Sequence, residues 1–153
     1  MTHNLRPFEN KDASGVKKLI LEILEREYPF DRAAYSDSDL EKIPEVYCGR
    51  KNAFFVIEDE GKIVGTVGVK EDSKEDALLR RLFVDQDHRR RGYGSELVKH
   101  AIDFCKSQKY RRIFFRCTDR MSDAMKLCIK NGFKESENLP VGGFHIHKLE
   151  LWL

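Results

Sequence analysis

The chain has 153 residues, 41% hydrophobic and 35% charged, with a formal net charge of +2. That length suits one domain, residues 1–153, with a sizeable core. No apolar run approaches the roughly 20 residues that span a bilayer, and residues 1–10 lack an apolar signal core, so a soluble, non-secreted, cytoplasmic protein is expected.

Residues 5–8 read as a short first strand. Asp12 can cap a helix reaching Tyr28, in which Val16, Leu19, Ile20, Ile23 and Leu24 share one face and Pro29 is the stop. Residues 38–41, Ser-Asp-Leu-Glu, have the form of a capping box and open a second short helix, with Pro44 limiting it or near its end. Residues 53–58 and 62–70 are strands joined by the hairpin signal Asp59-Glu60-Gly61, and 77–84 is a third. Gly65 and Gly68 inside the second strand imply close backbone approach or a bulge.

A helix after Gly94 carries Leu97, Val98, Ala101, Ile102, Phe104 and Cys105 on a broad apolar face, and residues 112–118 form a strand. The next helix runs from Ser122 to Asn131, with Gly132 at the left-handed C-cap position. Residues 133–137 and 144–151 are the last strands, separated by a flexible turn at 139–143. The order β-α-α-β-β-β-α-β-α-β-β predicts an α/β fold with a mixed sheet, without repeats or interdomain linkers.

Cys48, Cys105, Cys117 and Cys128 contain no C-x-x-C pair and lie in apolar or amphipathic segments, as reduced, mostly buried thiols of a cytoplasmic protein would. Charge is uneven. Residues 1–76 hold 12 Lys and Arg against 17 Asp and Glu, and residues 77–153 hold 16 against 9. The basic half contains the most informative stretch, residues 82–95: Leu-Phe-Val-Asp-Gln-Asp-His-Arg-Arg-Arg-Gly-Tyr-Gly-Ser. An apolar strand end, a basic turn, two glycines one residue apart and a helix start together make an anion pocket of backbone N–H groups and cationic side chains. Its ligand is expected to be a phosphate or pyrophosphate on a cofactor.

The pattern Arg89-x-x-Gly92-x-Gly94 after a strand resembles the acetyl-coenzyme-A signature of the GNAT superfamily of N-acetyltransferases. Residues 124–133, Ala-Met-Lys-Leu-Cys-Ile-Lys-Asn-Gly-Phe, resemble that family's A-x-x-L-Y-x-x-x-G-F segment. The similarity of element order covers essentially the whole chain. The resemblance implies a mixed, mostly antiparallel twisted sheet flanked by helices, and acetyl-CoA as co-substrate without a metal. Leu82, Phe83 and Val84 would pair with the pantetheine arm, and the Leu82 N–H would act as oxyanion donor. Amides from Arg90 through Gly92, Tyr93 and Gly94 to Ser95 would cradle the pyrophosphate, while Arg89, Arg90 and Arg91 add charge. Tyr93 is expected to pack beside the loop.

Two departures bear on mechanism. Many members carry an acid tyrosine where this chain has Cys128. A thiol with a reference pKa of about 8.5 can donate a proton, and the alternatives are a nucleophile forming an acetyl-cysteine and an apolar filler. Some members use a strand glutamate where this chain has Leu78, and a base could come instead from Glu71, Glu75 or Asp76 through water, or from no side chain. Near pH 7.4 an α-amino group is roughly one-third neutral and a lysine amine about 0.1% neutral, so a missing base penalises lysine most. The expected acceptor is therefore an amino acid, a peptide α-amine or a small-molecule amine, attacking the thioester directly.

The acceptor pocket is expected between the first two helices and the last hairpin, near Tyr28, Phe30, Tyr35 and residues 139–143. His145 and His147 share a strand face without a third ligand and read as ordinary strand positions. A homodimer through edge strands or C-terminal elements is typical of the fold class. A non-catalytic CoA-binding sensor or subunit is the first alternative. A nucleic-acid module built on residues 88–91 and 109–112 ranks last, because the chain lacks an aromatic stacking run.

Overall fold

Three consecutive strands with short turns between them fold as an antiparallel meander, and the first long crossover comes only after the glycine loop. The structure, a computed structural model, describes residues 3–27 and 38–153. Its elements are β1 (His3–Pro7), α1 (Ala13–Glu27), α2 (Ile43–Val46), β2 (Ala53–Asp59), β3 (Lys62–Glu71), β4 (Asp76–Val84), α3 (Tyr93–Ser107), β5 (Arg112–Thr118), α4 (Ser122–Lys130), β6 (Lys134–Val141) and β7 (Phe144–Trp152). The order matches the sequence-based expectation. The strands form one seven-stranded sheet, β1-β2-β3-β4-β5-β7-β6. Every neighbouring pair is antiparallel except β4 with β5. A parallel pair needs a crossover, which α3 supplies.

Helices cover both faces. A Cβ on Gly65 would come within 3.1 Å of Leu97 on α3, and one on Gly68 within 2.8 Å of the Tyr47 ring, which follows α2. These two positions of β3 face opposite ways, so α3 and the α1–α2 region pack on opposite sides. Val16, Leu19, Ile20, Ile23 and Leu24 of α1 are all buried, as their spacing predicts, and so are Leu97, Val98, Ala101 and Cys105 of α3. At the end of α4, Gly132 has φ +103, its N–H bonds the Ile129 carbonyl and the Phe133 N–H bonds that of Cys128. This is the Schellman closure expected at Gly132.

Three expectations change. Asp12 lies in a 3-10 turn (Asn10–Asp12) preceding α1. Its carboxylate accepts the Glu9 backbone N–H at 2.8 Å and both terminal nitrogens of Arg6 at 2.7 and 2.9 Å, which ties β1 to the helix entry. Pro44 sits in the first turn of α2, where a missing N–H costs nothing, and not at its end. Residues 139–141 are strand: β6 runs to Val141 and pairs with β7 as far as Val141↔Phe144, leaving Gly142 and Gly143 as the turn. Pairing with β7 overrides the local turn signal of that Pro- and Gly-bearing segment. Tyr28, Pro29, Phe30 and Tyr35 lie outside the described residues. No described helix is long and apolar enough to cross a membrane.

Candidate active site

Strands β4 and β5 pair only from Asp76↔Arg112 to Leu79↔Phe115. Beyond that point β4 continues to Val84 and β5 to Thr118 without mutual pairing, which opens a notch in the sheet. A bulge bends β4 at this place. Its register with β3 shifts between Thr66↔Phe83 and Gly68↔Arg80, and Arg81 has φ +54. The Thr66 hydroxyl donates to the Arg81 carbonyl at 2.7 Å and holds the bulge.

The notch contains a cleft with two lobes. The larger, about 600 Å³, is lined by Leu82, Phe83 and Val84 of β4, by His88, Arg89, Arg90 and residues 92–95 of the following loop and helix start, and by Ala124, Leu127 and Lys130 of α4. The smaller, about 310 Å³, is lined by residues 78–83 of β4, residues 115–118 of β5, Met121 and Ile146. Leu82, Phe83 and Met121 line both, so the lobes meet there.

The loop beside the larger lobe is an amide cradle. Arg90 has φ +66 and Gly92 φ +83, and Gly92 is the N-cap of α3. A Cβ at Gly92 would meet nothing within 4 Å, so its backbone borders open space. The first intrahelical bond of this end runs from Glu96 N–H to the Gly92 carbonyl at 3.0 Å. The N–H groups of Tyr93, Gly94 and Ser95 precede it and are the orphan donors of a helix start. A Cβ on Gly94 would lie 2.6 Å from Leu127 Cδ2, so glycine there lets α3 approach α4 across the lobe.

The arginines divide by role. The Arg89 guanidinium is engaged with Glu27 at 2.7 and 2.8 Å, and its Nε donates to the Val84 carbonyl at 3.0 Å. It pins the loop to α1. Arg90 lines the larger lobe. Arg91 does not, and its guanidinium lies 3.5 Å from the Asp59 carboxylate. Tyr93 is buried, and its hydroxyl donates to Asp59 at 2.7 Å. The amides, Arg90 and Lys130 fit a pyrophosphate, and the apolar strand end Leu82 to Val84 fits an uncharged arm beside it.

Cys128 is fully buried and lines neither lobe, and burial pushes its thiol far up. Cys117 lines the smaller lobe, and its thiol is pushed up to about 12 by burial. Leu78 lines the smaller lobe, whereas Glu71, Glu75 and Asp76 do not. Asp76 instead pairs with Arg112 at 3.1 and 3.2 Å, which holds its carboxyl below the usual range. Residues 139–143 line neither lobe, and the last hairpin contributes Ile146. His147 faces Asp119 and Glu135 with its two ring nitrogens, and His145 Nδ1 meets Asn138 at 2.8 Å.

Sequence reasoning missed a buried cluster on the wall of the smaller lobe. Arg81 Nε donates to Asp39 at 3.1 Å, a second Arg81 nitrogen reaches the other carboxylate oxygen, and the Tyr47 hydroxyl donates at 2.7 Å. Burial opposes ionisation of Asp39, but Arg81 and Tyr47 prevail and hold its carboxyl below the usual range. The overlooked signal was Arg80-Arg81 inside an apolar strand, since two successive charges break alternation and mark a bulge.

A sequence model of the Acetyltransferase (GNAT) family matches residues 18–133. The probable N-acetyltransferase camello of Xenopus tropicalis is 33% identical over 101 residues, covering 64% of this chain and 46% of that protein. N-acetyltransferase 8 of Homo sapiens is 33% identical over 107 residues, covering 65% and 46%. The chain thus spans about half the length of the curated relatives it matches. Among solved structures, a GNAT-family acetyltransferase from Staphylococcus aureus Mu50 superposes with a TM-score of 0.86 at 24% identity, covering 99% of both chains. A putative acetyltransferase from Salmonella typhimurium, solved with its cofactor acetyl-CoA, superposes with a TM-score of 0.84 at 15% identity, covering 100% of this chain and 95% of that one. With the family match spanning most of its length and the family's sheet and glycine loop in place, the chain belongs to the GNAT acetyltransferase family.

Proposed function

We propose that residues 1–153 act as a single N-acetyltransferase domain, moving an acetyl group from acetyl-CoA to a primary amine. The observation that carries this is the two-lobed cleft meeting at Leu82, Phe83 and Met121, with the amide cradle on one side and a smaller apolar lobe on the other. The neighbour solved with acetyl-CoA supports the choice of co-substrate. Arg90, Gly92, Tyr93, Gly94 and Ser95 hold the pyrophosphate through their backbones, Arg89 and Arg91 brace that loop, and Leu82, Phe83 and Val84 border the pantetheine arm.

The neutral amine attacks the thioester carbonyl directly. A carbon–nitrogen bond forms, the carbonyl electrons move to an oxyanion that the Leu82 N–H stabilises, and the carbon–sulfur bond then breaks. The surplus amine proton passes to water, and the thiolate leaves and takes a proton from solvent. Catalysis rests on positioning and on the backbone donor. The burial of Cys128 and its absence from both lobes favour a packing role for its thiol. Four free thiols suit a reducing compartment such as the cytoplasm. The exposed edge strand β6, with Leu139 and Val141 outward, is the surface for a homodimer.

The test is release of free thiol from acetyl-CoA, with and without a broad panel of amines. Amine-dependent release and recovery of the N-acetylated amine are expected. Measurable acetyl-CoA binding with no release from any amine would replace this reading with a CoA sensor.

A further inference from the structure

Cations crowd the smaller lobe, and they are not needed by the phosphates. The β4 bulge turns the adjacent Arg80 and Arg81 toward the same carboxylate: Arg81 is hydrogen-bonded to Asp39, and Arg80 lies 4.0 Å from it. Leu78 is level with Phe114 in the parallel pairing, so two residues further on Arg80 and Arg116 leave the diverging strands on the same face. Both line the smaller lobe, one on each rim.

Asp39 is buried and outside the lining, and its carboxylate is taken up by Arg81 and Tyr47. Arg80, 34% exposed, lies at the edge of this cluster, with its guanidinium 4.0 Å from Asp39. Arg116 is exposed, and its side chain makes no hydrogen bond or ion pair among the described residues. The described lining of this lobe contains no carboxylate. Two guanidinium groups therefore flank an apolar pocket of about 310 Å³ whose described lining brings no carboxylate to offset them.

Resting on the transferase reading above, we infer that the acceptor is a primary amine that itself carries a carboxylate, an amino acid in chemical class, with that carboxylate docked on Arg80 and Arg116. Guanidinium forks bind carboxylates bidentately and fix their orientation. The apolar remainder of the molecule lies against Leu78, Phe115, Met121 and Ile146. The same cations disfavour an ammonium group in the lobe and lower its pKa. They thereby raise the fraction of free nucleophile in a site whose usual base position holds Leu78. Polyamines and unmodified lysine side chains bring the wrong charge to this wall.

The experiment compares apolar α-amino acids, each matched to its carboxamide and its decarboxylated amine, with spermidine added to the set. Thiol release should favour the acid over its two analogues in kcat/KM by about 10- to 100-fold, the worth of one charge-assisted contact. Arg116→Gln and Arg80→Gln should each raise the KM for the acid and shrink that preference. Equal rates for acid, amide and amine, or a preference for spermidine, would overturn the inference and leave the transferase standing. Thermal shifts of the CoA-loaded protein with N-acetylated acids and with their amides read the same contact without turnover. A stabilisation by the acids that Arg116→Gln abolishes supports the inference, and equal shifts with acid and amide overturn it. No thiol release from any amine would instead remove the reaction on which it rests.

Discussion

Replacing Asp39 with asparagine keeps the side chain's shape and removes the carboxylate that Arg81 faces. Arg81 is 7% exposed and Asp39 5%, so this is a buried pair. Breaking such a pair from one side costs about 3–5 kcal/mol, because the remaining charge stays desolvated. Arg81 lines the smaller lobe, where water can reach it, which favours the lower end, about 3 kcal/mol. In a domain of this length that lowers the Tm by about 6–12 °C. The loss depends on pH. A carboxyl held below its usual range adds stability that is present above the unfolded value, about 3.9, and disappears as pH falls through the folded value. Wild type and Asp39→Asn should differ fully at pH 7 and converge in acid. Thermal unfolding followed by circular dichroism from pH 7 downward measures this. Asp39→Asn combined with Arg81→Met should recover much of the loss, since a neutral pair leaves no orphan charge. A single-mutant Tm within about 2 °C of wild type at pH 7 would refute the reasoning.

Removing the Cys128 sulfur by Cys128→Ala opens about a methyl-sized void, so unfolding free energy should drop by about 1 kcal/mol in denaturant titrations. Turnover should stay within about twofold, whereas a tenfold fall in kcat, about 1.4 kcal/mol, would restore a chemical role for the thiol. Glu27→Gln frees Arg89 from its partner and loosens the cradle, so the KM for acetyl-CoA should rise about fivefold, the worth of a partly exposed pair. An unchanged KM would show that the Glu27 pair is not what holds the loop. His147 is raised chiefly by Asp119 and then by Glu135. Its contribution to stability is present below the unfolded value, about 6.5, and is lost as pH rises through the folded one. The Tm should therefore decline across the alkaline side, and His147→Gln should flatten that decline. An identical slope in the mutant would sink this account.

Local periodicity explains why α1 and α3 were legible. Val16, Leu19 and Ile23, and Leu97 and Ala101, repeat at the helical spacing, and each face is buried as that spacing predicts. The Asp59-Glu60-Gly61 turn likewise needs only neighbouring residues, and the structure has both Glu60 and Gly61 at positive φ. The chain from residue 134 to 141 misled for the opposite reason. It is exposed throughout and carries a proline, so its strand state comes from pairing with β7 rather than from its own pattern.

The glycine loop was legible as backbone because its parts are local: strand end, two glycines and helix start are contiguous. The smaller lobe was not. Arg80 and Arg116 are 36 residues apart in the sequence, and only the parallel β4–β5 register sets them on opposite rims of one notch. Nor does any local pattern show that Arg89 is braced by Glu27, 62 residues away, or that Cys128 faces the core and not the cleft. Sequence alone determined the order of the elements and the strand–glycine–helix junction, since these follow from short-range backbone geometry and periodic burial. Tertiary structure decided which charges are paired and which stay exposed, because burial and pairing depend on residues that meet only when the sheet is assembled.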